Sequence, residues 1–570
     1  MWCKKCNIET NEDICPICGE KSVEDIPAEV YWCSHCKTPV IQTVNQPDVG
    51  TCPLCGRKAK YLSSDLRPVF PQERLLLEVL LGLPPHEYKE KSVWAADSRY
   101  YIDGKSVNIP SKTFQLADAD AISKVLTAEE SNNTYEFFDM HIANFVAANQ
   151  SRLHYLIDEA HNFVKDAASK FDEEHIVVSF SGGKDSTVTA DVVTKALSNP
   201  ELTHIFGNTT LEFPYTIQYA QRFNEAHEQC FWIAKNNEQD FYDVCEDIGP
   251  PARMMRWCCS MFKTGPITRI INKLYRDTRI LTFYGIRKSE SVSRSKYNRI
   301  EDDAESVKIQ QQTVASPIFF WKDIDIWLYI LAEKIDFNEA YRLGYDRVGC
   351  WCCPNNNQRA QFLSRIYMPE QSKKWRDFLI SFAEKIGKPD PEVYVDTGKW
   401  KARQGGNGLA SAGDVKIRFT NCTTEEHAKI YRLTKPMDDD LIGMFTPFGR
   451  VAPELGQKLL NEVLVLDVRT NVPILSIQPF GQEGYDYAVK IRTMNVANHD
   501  DLQRMVSYQI RKFNACRKCL KCESLCKAGA ISIVGDNYYI NPDKCVRCKM
   551  CVTPKYLDGG CMMDKYLRTK

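Results

Sequence analysis

The sequence predicts a multidomain α/β protein: a doubly wound, mainly parallel sheet in the middle, with metal-held modules at both ends. Strand and helix signals alternate from about 174 to 400, as a mainly parallel sheet with crossover helices requires. At 570 residues the chain also exceeds one hydrophobic core, so three to five domains are expected. Its 24 cysteines fall in tight groups with cysteine-poor intervals between them, which is how metal ligands rather than disulfides are distributed.

Composition narrows the function classes. A formal net charge of -1 provides no global attraction to nucleic acid or anionic membrane, so any such contact must be a local patch. No apolar run approaches the roughly 18 residues of a membrane span, and Met1-Trp-Cys-Lys-Lys-Cys6 does not resemble a signal peptide. A soluble cytoplasmic protein without a membrane partner is expected.

Residues 1–62 carry Cys3-x2-Cys6-x8-Cys15-x2-Cys18 and Cys33-x2-Cys36-x15-Cys52-x2-Cys55. Four thiolates in two C-x2-C pairs suit one tetrahedral zinc, and so short a segment lacks the apolar residues to fold without metal. With Pro16 and Gly19 in one turn and Pro53 and Gly56 in another, these look like two zinc ribbons; iron is the alternative metal. Residues 63–125 read as a small α+β connector with a helix from Glu73 to Leu83, strands near Trp94 and Tyr100, and no chemical constellation. Residues 127–170 read as helical, with His141, His154 and His161 packing rather than ligating, and open a nucleotide domain spanning 126–400.

That domain is organised around Ile176-Val-Val-Ser-Phe-Ser-Gly-Gly-Lys-Asp-Ser186, a β-branched strand entering a glycine turn and then a helix with Val188, Val192 and Ala196 on one side. Such a turn gathers free backbone N–H groups and a positive helix end around one point, a site for phosphate. Gly182 and Gly183 admit the anion, Lys184 supplies a point charge, and Ser181 and Ser186 supply hydroxyls. It is not a Walker A loop, since Asp185 replaces the hydroxyl residue that holds magnesium there. The run SGGKDS resembles the PP-loop of the adenine-nucleotide α-hydrolases. The resemblance implies an adenine nucleotide, either ATP or an adenylyl sulfate such as phosphoadenosine phosphosulfate (PAPS), with magnesium a candidate companion.

Further strands are expected at 203–207 and 279–284, and ligands of such sheets sit beyond the carboxyl ends of the strands. Three more stretches fall on that rim: Asn208-Thr-Thr-Leu-Glu-Phe-Pro214, Gly285 to Arg294, and Ser316 to Tyr329. Arg287 and Arg294 can each clamp phosphate or sulfate oxygens in bidentate fashion. In this order the stretches resemble the PAPS reductase family, which shows a G-x-R-x-x-x-S-x-x-R segment and a W-x-D-x-D-x-W helix. The resemblance covers about 174–360, and Lys184, Asp185, Arg287 and Arg294 are the expected catalytic residues. Cys258-Cys259 and Cys350-Trp-Cys-Cys353 resemble the iron-sulfur branch of that family. That implies one [4Fe-4S] cluster on Cys258, Cys259, Cys350 and Cys353, with Lys263 also matching the pattern. Cys352 is extra: a buried apolar residue by preference, an alternative ligand or a reactive thiol otherwise.

Residues 401–505 open with a glycine-rich linker, Gln404 to Gly408, and read as a connecting domain of helices and then strands such as Glu462–Asp467. Residues 506–570 resemble a bacterial two-cluster ferredoxin. The resemblance implies one [4Fe-4S] cluster on Cys516, Cys519, Cys522 and Cys561, and another on Cys545, Cys548, Cys551 and Cys526. The prolines that usually follow the fourth cysteines are missing.

Three [4Fe-4S] clusters, two zinc ions and a nucleotide site together imply an enzyme of reductive sulfur chemistry. The leading expectation is ATP-dependent activation of an acceptor followed by sulfur transfer, as in DNA phosphorothioation or tRNA thiolation, with a nucleic acid as candidate substrate. The competing expectation is reduction of PAPS or adenylyl sulfate to sulfite with electrons from the ferredoxin module. Against it stands the missing Glu-Cys-Gly-Leu/Ile-His motif of the assimilatory reductases. A non-catalytic redox sensor that grips nucleic acid is the third reading. A sulfur-donor or electron-donor protein is the expected partner.

Overall fold

The computed structural model describes residues 2–569 apart from 4, 5, 7, 11, 23, 44–48, 97–98, 228–229, 276–277, 303–308, 310–311 and 554–559. At the N-terminus, Trp2–Cys3 pairs with Ile8–Glu9 in the first small unit. The second unit is an antiparallel sheet of β1 (Glu29–Cys33), β2 (Thr38–Gln42) and β3 (Lys60–Ser63), with β1 central. Then come β4 (Arg67–Pro68), α1 (Pro71–Leu80), and a meander of β5 (Val93–Ala96), β6 (Arg99–Ile102) and β7 (Lys105–Asn108). Pro71 opens α1, where its missing N–H costs nothing. Two helices follow, α2 (Glu136–Ala148) and α3 (Gln150–Ala168). Between them Asn149 accepts from Ile41 N–H at 2.7 Å and donates to Pro39 C=O at 3.1 Å, which seats the second N-terminal unit on the helices.

The central sheet contains β8 (Ile176–Phe180), β9 (Thr203–Asn208), β10 (Phe231–Lys235), β11 (Ile280–Phe283), β12 (Ile300–Glu301) and β13 (Gln312–Ala315), in the order β10-β9-β8-β11-β13-β12. All its pairings are parallel except that of the edge strand β12. Val177, Val178 and Leu281 are buried, as strands covered on both faces demand. The helices around it include α4 (Lys184–Leu197), α5 (Pro214–Ala226), α6 (Gly265–Tyr275) and α7 (Asp323–Ala332). The chain winds outward from β8 in one direction and from β11 in the other, so the loops leaving these neighbouring strands flank the crevice where such sheets bind ligands.

The segment after 401 differs from its expectation. It is mainly an antiparallel six-stranded sheet, β14 (Phe419–Asn421), β15 (Ala428–Leu433), β16 (Arg450–Ala452), β17 (Val463–Leu466), β18 (Pro473–Pro479) and β19 (Tyr487–Thr493), in the order β14-β15-β19-β18-β17-β16. The glycine-rich stretch before it is no loose linker. Gly406 N–H donates to Arg568 C=O at 3.3 Å, and Arg403 donates to the carbonyls of Ile248 and Pro250 at 2.9 and 3.0 Å. Helix α8 (His499–Ala515) leads into the cysteine runs, which enclose a hairpin of β20 (Ile531–Val534) and β21 (Asn537–Ile540) and end in α9 (Met562–Leu567). Among the described residues no helix is long and apolar enough to cross a membrane.

Candidate nucleotide site and metal centres

The loop from β8 to α4 is held from behind. Gly182 adopts φ +70°, and a Cβ there would lie 2.8 Å from Thr216 Cγ2, so glycine is required on two counts. Asn338 Nδ2 donates to Gly182 C=O at 3.1 Å and to Thr216 Oγ1 at 2.8 Å. Ser186 Oγ accepts from Ser181 N–H and Oγ–H and donates to Gly183 C=O at 2.9 Å. The two serines thus shape the turn, and the first-turn amides of α4 lack intrahelical acceptors, that of Lys184 donating to Tyr341 Oη at 3.0 Å.

Lys184 and Arg287 meet carboxylates within the protein. Lys184 Nζ, buried, lies 3.1 Å from Asp323 and 3.7 Å from Asp185, and donates to Asp346 C=O at 3.2 Å. Arg287 reaches Asp185 through Nε and Asp323 through Nη2, the latter at 2.9 Å. Burial opposes the charge on Asp185, but Arg287 and Lys184 outweigh it and hold its carboxyl below the usual range. Arg294 sits differently. It pairs with Glu290, yet burial and the neighbouring charge of Arg347 push its guanidinium down. Arg347 is exposed and has no ion-pair partner among the described residues. Two cations side by side at the rim of the loop form the part of the site best placed for an added oxyanion. Sequence reasoning named Arg294 and not Arg347, which belongs to none of the motifs.

The two acids of the W-x-D-x-D-x-W segment do different work. Asp323 holds Lys184 and Arg287, whereas Asp325, fully buried, takes a bidentate pair from Arg152 at 3.1 and 2.9 Å. Helix α3 is thereby pinned to α7.

Residues 63–125, expected to hold no constellation, build one wall of the site. Asp65 accepts from Asp323 N–H and Ile324 N–H at 3.0 Å each, capping α7, while burial and the charge of Asp323 lift its carboxyl to about 6. Glu73, fully buried, receives Arg67 at 2.6 and 2.7 Å, Tyr100 Oη–H at 2.8 Å, and Arg359. Arg67 and Arg359 also reach Asp346. That network fixes the loop whose next residues are Arg347 and Cys350.

The N-terminal thiols fit zinc. Cys3, Cys6, Cys15 and Cys18 converge in one group, and Cys33, Cys36, Cys52 and Cys55 in another. The separations Cys3–Cys18, Cys33–Cys55 and Cys36–Cys52 are 3.5, 3.6 and 3.9 Å, near the edge of about 3.8 Å for a tetrahedron with 2.3 Å Zn–S bonds. Backbone N–H groups lower Cys15 and Cys55 to about 7, whereas the Cys18 hydrogen bond raises Cys6 and burial raises Cys36 and Cys52, so each metal-free group holds at least one thiol that ionises readily.

The other cysteines form wider groups. Cys258 and Cys259 open a helical segment that passes through a π-turn at Ser260–Thr264 into α6. Cys350 is bridged to Glu212, and its Sγ lies 3.4 Å from Thr209 Oγ1. Cys259 is lowered to about 5 by hydrogen bonding from Cys258 and then, against burial, by Arg256, whose Nη2 lies 3.3 Å from its Sγ. Arg256 also feels Cys353 and Cys258, so three of the four expected ligands face one cation, and Cys350 faces Lys263. An all-thiol donor set with such a counter-charge fits an anionic iron-sulfur cluster. Cys352 is buried in the adjoining apolar cluster. At the C-terminal end, the Cys519 thiol interacts with Cys516, Cys522 and Cys561, and Cys551 with Cys522, Cys526 and Cys545, so Cys522 faces thiols of both expected groups. Cys548 is exposed.

Residues 175–356 match the phosphoadenosine phosphosulfate reductase domain. An uncharacterized protein of Methanocaldococcus jannaschii is 31% identical over 273 residues, 48% of this chain and 54% of that protein. The adenosine 5'-phosphosulfate reductase of Neisseria meningitidis serogroup A is 27% identical over 205 residues, 36% of this chain and 76% of that enzyme. Among solved structures, phosphoadenylyl-sulfate reductase from Candida auris aligns with 36% of this chain and 96% of its own, at 19% identity and a TM-score of 0.28. The chain spans 54% and 60% of the length of two relatives from Methanocaldococcus jannaschii. The residues that match the phosphoadenosine phosphosulfate reductase domain, 175–356, are those that carry the loop, the switch-point crevice and the parallel sheet, and further cysteine-rich units flank them.

Proposed function

We propose that the chain reductively cleaves an adenylyl sulfate, with or without a 3′-phosphate, to the adenine nucleotide and sulfite. One observation carries this reading: Cys519 and Cys561 share one apolar cluster with Cys258, Cys350 and Cys352 of the reductase domain, so the ferredoxin-like unit is seated at the site that needs electrons. The name of the Neisseria meningitidis relative supports the same substrate class. In the reaction the bond between sulfur and the bridging phosphate oxygen breaks, that oxygen stays on the nucleotide, and sulfur accepts two electrons. Adenylyl sulfate and two electrons balance AMP and sulfite without a net proton.

The chain's own residues divide the work. The first-turn amides of α4 beyond that of Lys184, which Tyr341 holds, and the cations Arg294 and Arg347 receive the oxyanions, while Lys184, Asp185, Arg287 and Asp323 hold the loop in shape. Cys258, Cys259, Cys350 and Cys353 would hold a cluster that supplies one-electron capacity beside the nucleotide. The N-terminal units touch the same rim, through Asp25 to Lys288 at 3.3 Å and Glu24 to Arg299 at 3.0 Å.

The test is anaerobic turnover of adenylyl sulfate and of PAPS with dithionite, reading sulfite and AMP. Stoichiometric sulfite supports the proposal. Pyrophosphate release from ATP without sulfite from either sulfonucleotide overturns it in favour of ATP activation and sulfur transfer.

A further inference from the structure

The ferredoxin-like unit is clamped onto the reductase domain rather than tethered to it. Leu520, between two ligand cysteines and in the left-handed region at φ +62°, presses on α6 where only a glycine fits: a Cβ at Gly265 would lie 2.5 Å from Leu520 Cδ1. Polar clamps surround that contact. Arg517 pairs with Asp247 and Asp414, and Arg269 with Glu523 and Glu238.

Helix α9 fills the space between the two cysteine groups. Ser260, next to Cys259, donates to Met562 Sδ at 3.4 Å. The Tyr566 ring belongs to the shared apolar cluster, and its hydroxyl faces the Arg256 main chain and feels Cys519, Cys258 and Cys259. Further out, Lys512 is buried among Cys516, Cys522, Cys551 and Cys561, donates to Cys551 C=O, and joins the two C-terminal groups. Cys548 lies at the surface and Cys519 and Cys561 inside, while Cys258, Cys259, Cys350 and Cys353 are half-buried.

We propose that α9 is an electron bridge and that the three cysteine-ligated groups work in a fixed order: the Cys545, Cys548, Cys551, Cys526 group as entry, the Cys516, Cys519, Cys522, Cys561 group as relay, and the Cys258, Cys259, Cys350, Cys353 group as terminus, with Met562 and Tyr566 spanning the last gap. Each step oxidises one group by one electron and reduces the next, with no proton or bond exchanged. The ultimate reductant is an external one-electron carrier, and two passages supply the two electrons of the proposed reaction. The order rests on that reading for its purpose, but its test contains no nucleotide, so the two fail separately.

The experiment uses the iron-loaded full chain under argon, with a reduced bacterial ferredoxin as the one-electron donor. Freeze-quenched electron paramagnetic resonance should show all three groups reduced in the parent, and full reduction by dithionite should show the terminus signal split by spin coupling to the relay. Tyr566→Leu should retain its iron and the splitting but lose reduction of the terminus by the ferredoxin, and Tyr566→Phe should restore it. Should Tyr566→Leu lose iron, Met562→Leu is read instead, with the same loss expected. Terminus reduction at the parental rate in an iron-replete Tyr566→Leu or Met562→Leu chain overturns the bridge, and an unsplit terminus signal in the fully reduced parent overturns the order.

Discussion

Replacing Glu73 by Gln tests whether a segment without any motif governs the site. Glu73 is fully buried and is the shared acceptor of Arg67, Arg359 and Tyr100. Burial alone would raise its carboxyl, yet Arg67 and Arg359 hold it below the usual range, so the negative charge is what the network is built on. Glutamine keeps one acceptor but turns an amino group towards an arginine. Both guanidiniums are then left to Asp346, whose side chain is 39% exposed. Breaking a buried pair from one side costs about 3–5 kcal/mol. Asp346 C=O receives Lys184, and Arg347 and Cys350 follow within the same loop, so the damage should reach the loop and the cysteine group together. Because so long a chain does not unfold in two states, the measurement is hydrogen exchange of amides in α1 and in the helix Gln358–Tyr367. Protection there should fall by about a hundredfold or more, with a weaker AMP affinity in parallel. Adding Arg359→Met should recover part of the loss by restoring the charge balance. Unchanged protection in Glu73→Gln would refute the reasoning.

Four other outcomes are expected. Asp65 has a folded-state value of about 6, above the unfolded value of about 3.9, so its stabilising contribution is present below pH 4 and lost as pH rises through 6. Asp65→Asn should therefore gain up to about 3 kcal/mol on the parent between pH 4 and 7, less about 1 kcal/mol for a weakened cap, as read from exchange of α7 amides at both pH values. Arg294→Gln should weaken AMP or phosphate binding in calorimetry by about 1.5–3 kcal/mol, and the exposed Arg347→Gln by less. Lys184→Ala should weaken the same binding, through the loop's shape as well as its charge, and unchanged affinity in a folded variant would remove the loop from the site. Elemental analysis after anaerobic purification should find about twelve iron and about two zinc per fully loaded chain, and four or fewer irons would remove the ferredoxin assignment.

What could be read from the sequence was what is local. The strand Ile176–Phe180, its glycine turn and the C-x2-C runs each declare themselves within about a dozen residues, because turn geometry and metal ligation constrain neighbours. Arg67, Glu73, Asp346 and Arg359 could not be seen as a unit, since buried charges 286 residues apart leave no periodicity. Arg347 was hidden for a related reason: its meaning comes from lying beside Arg294. Of the sheet between 419 and 493, the strand expected at Glu462–Asp467 is present as Val463–Leu466, but the extent of the sheet escaped because short strands such as Arg450–Ala452 and Phe419–Asn421 carry exposed residues at its edges. The glycines at 405 and 406 suggested slack, but they are there to let the backbone pass Arg568 and Leu567 closely.

The contact of Gly265 with Leu520 also bears on how such a chain can diverge. A side chain added at 265 would strike Leu520 and, at 2.8 Å, the Ser260 carbonyl, so neither position can change freely while the two units stay seated. Among chains that keep this arrangement, residue 265 should be held to glycine and should vary only together with the residue at 520. Where the C-terminal unit has been lost or exchanged, only the Ser260 carbonyl still restrains position 265, so drift there should come with a change in the turn at 260–264 and would record in the sequence that the two units had parted.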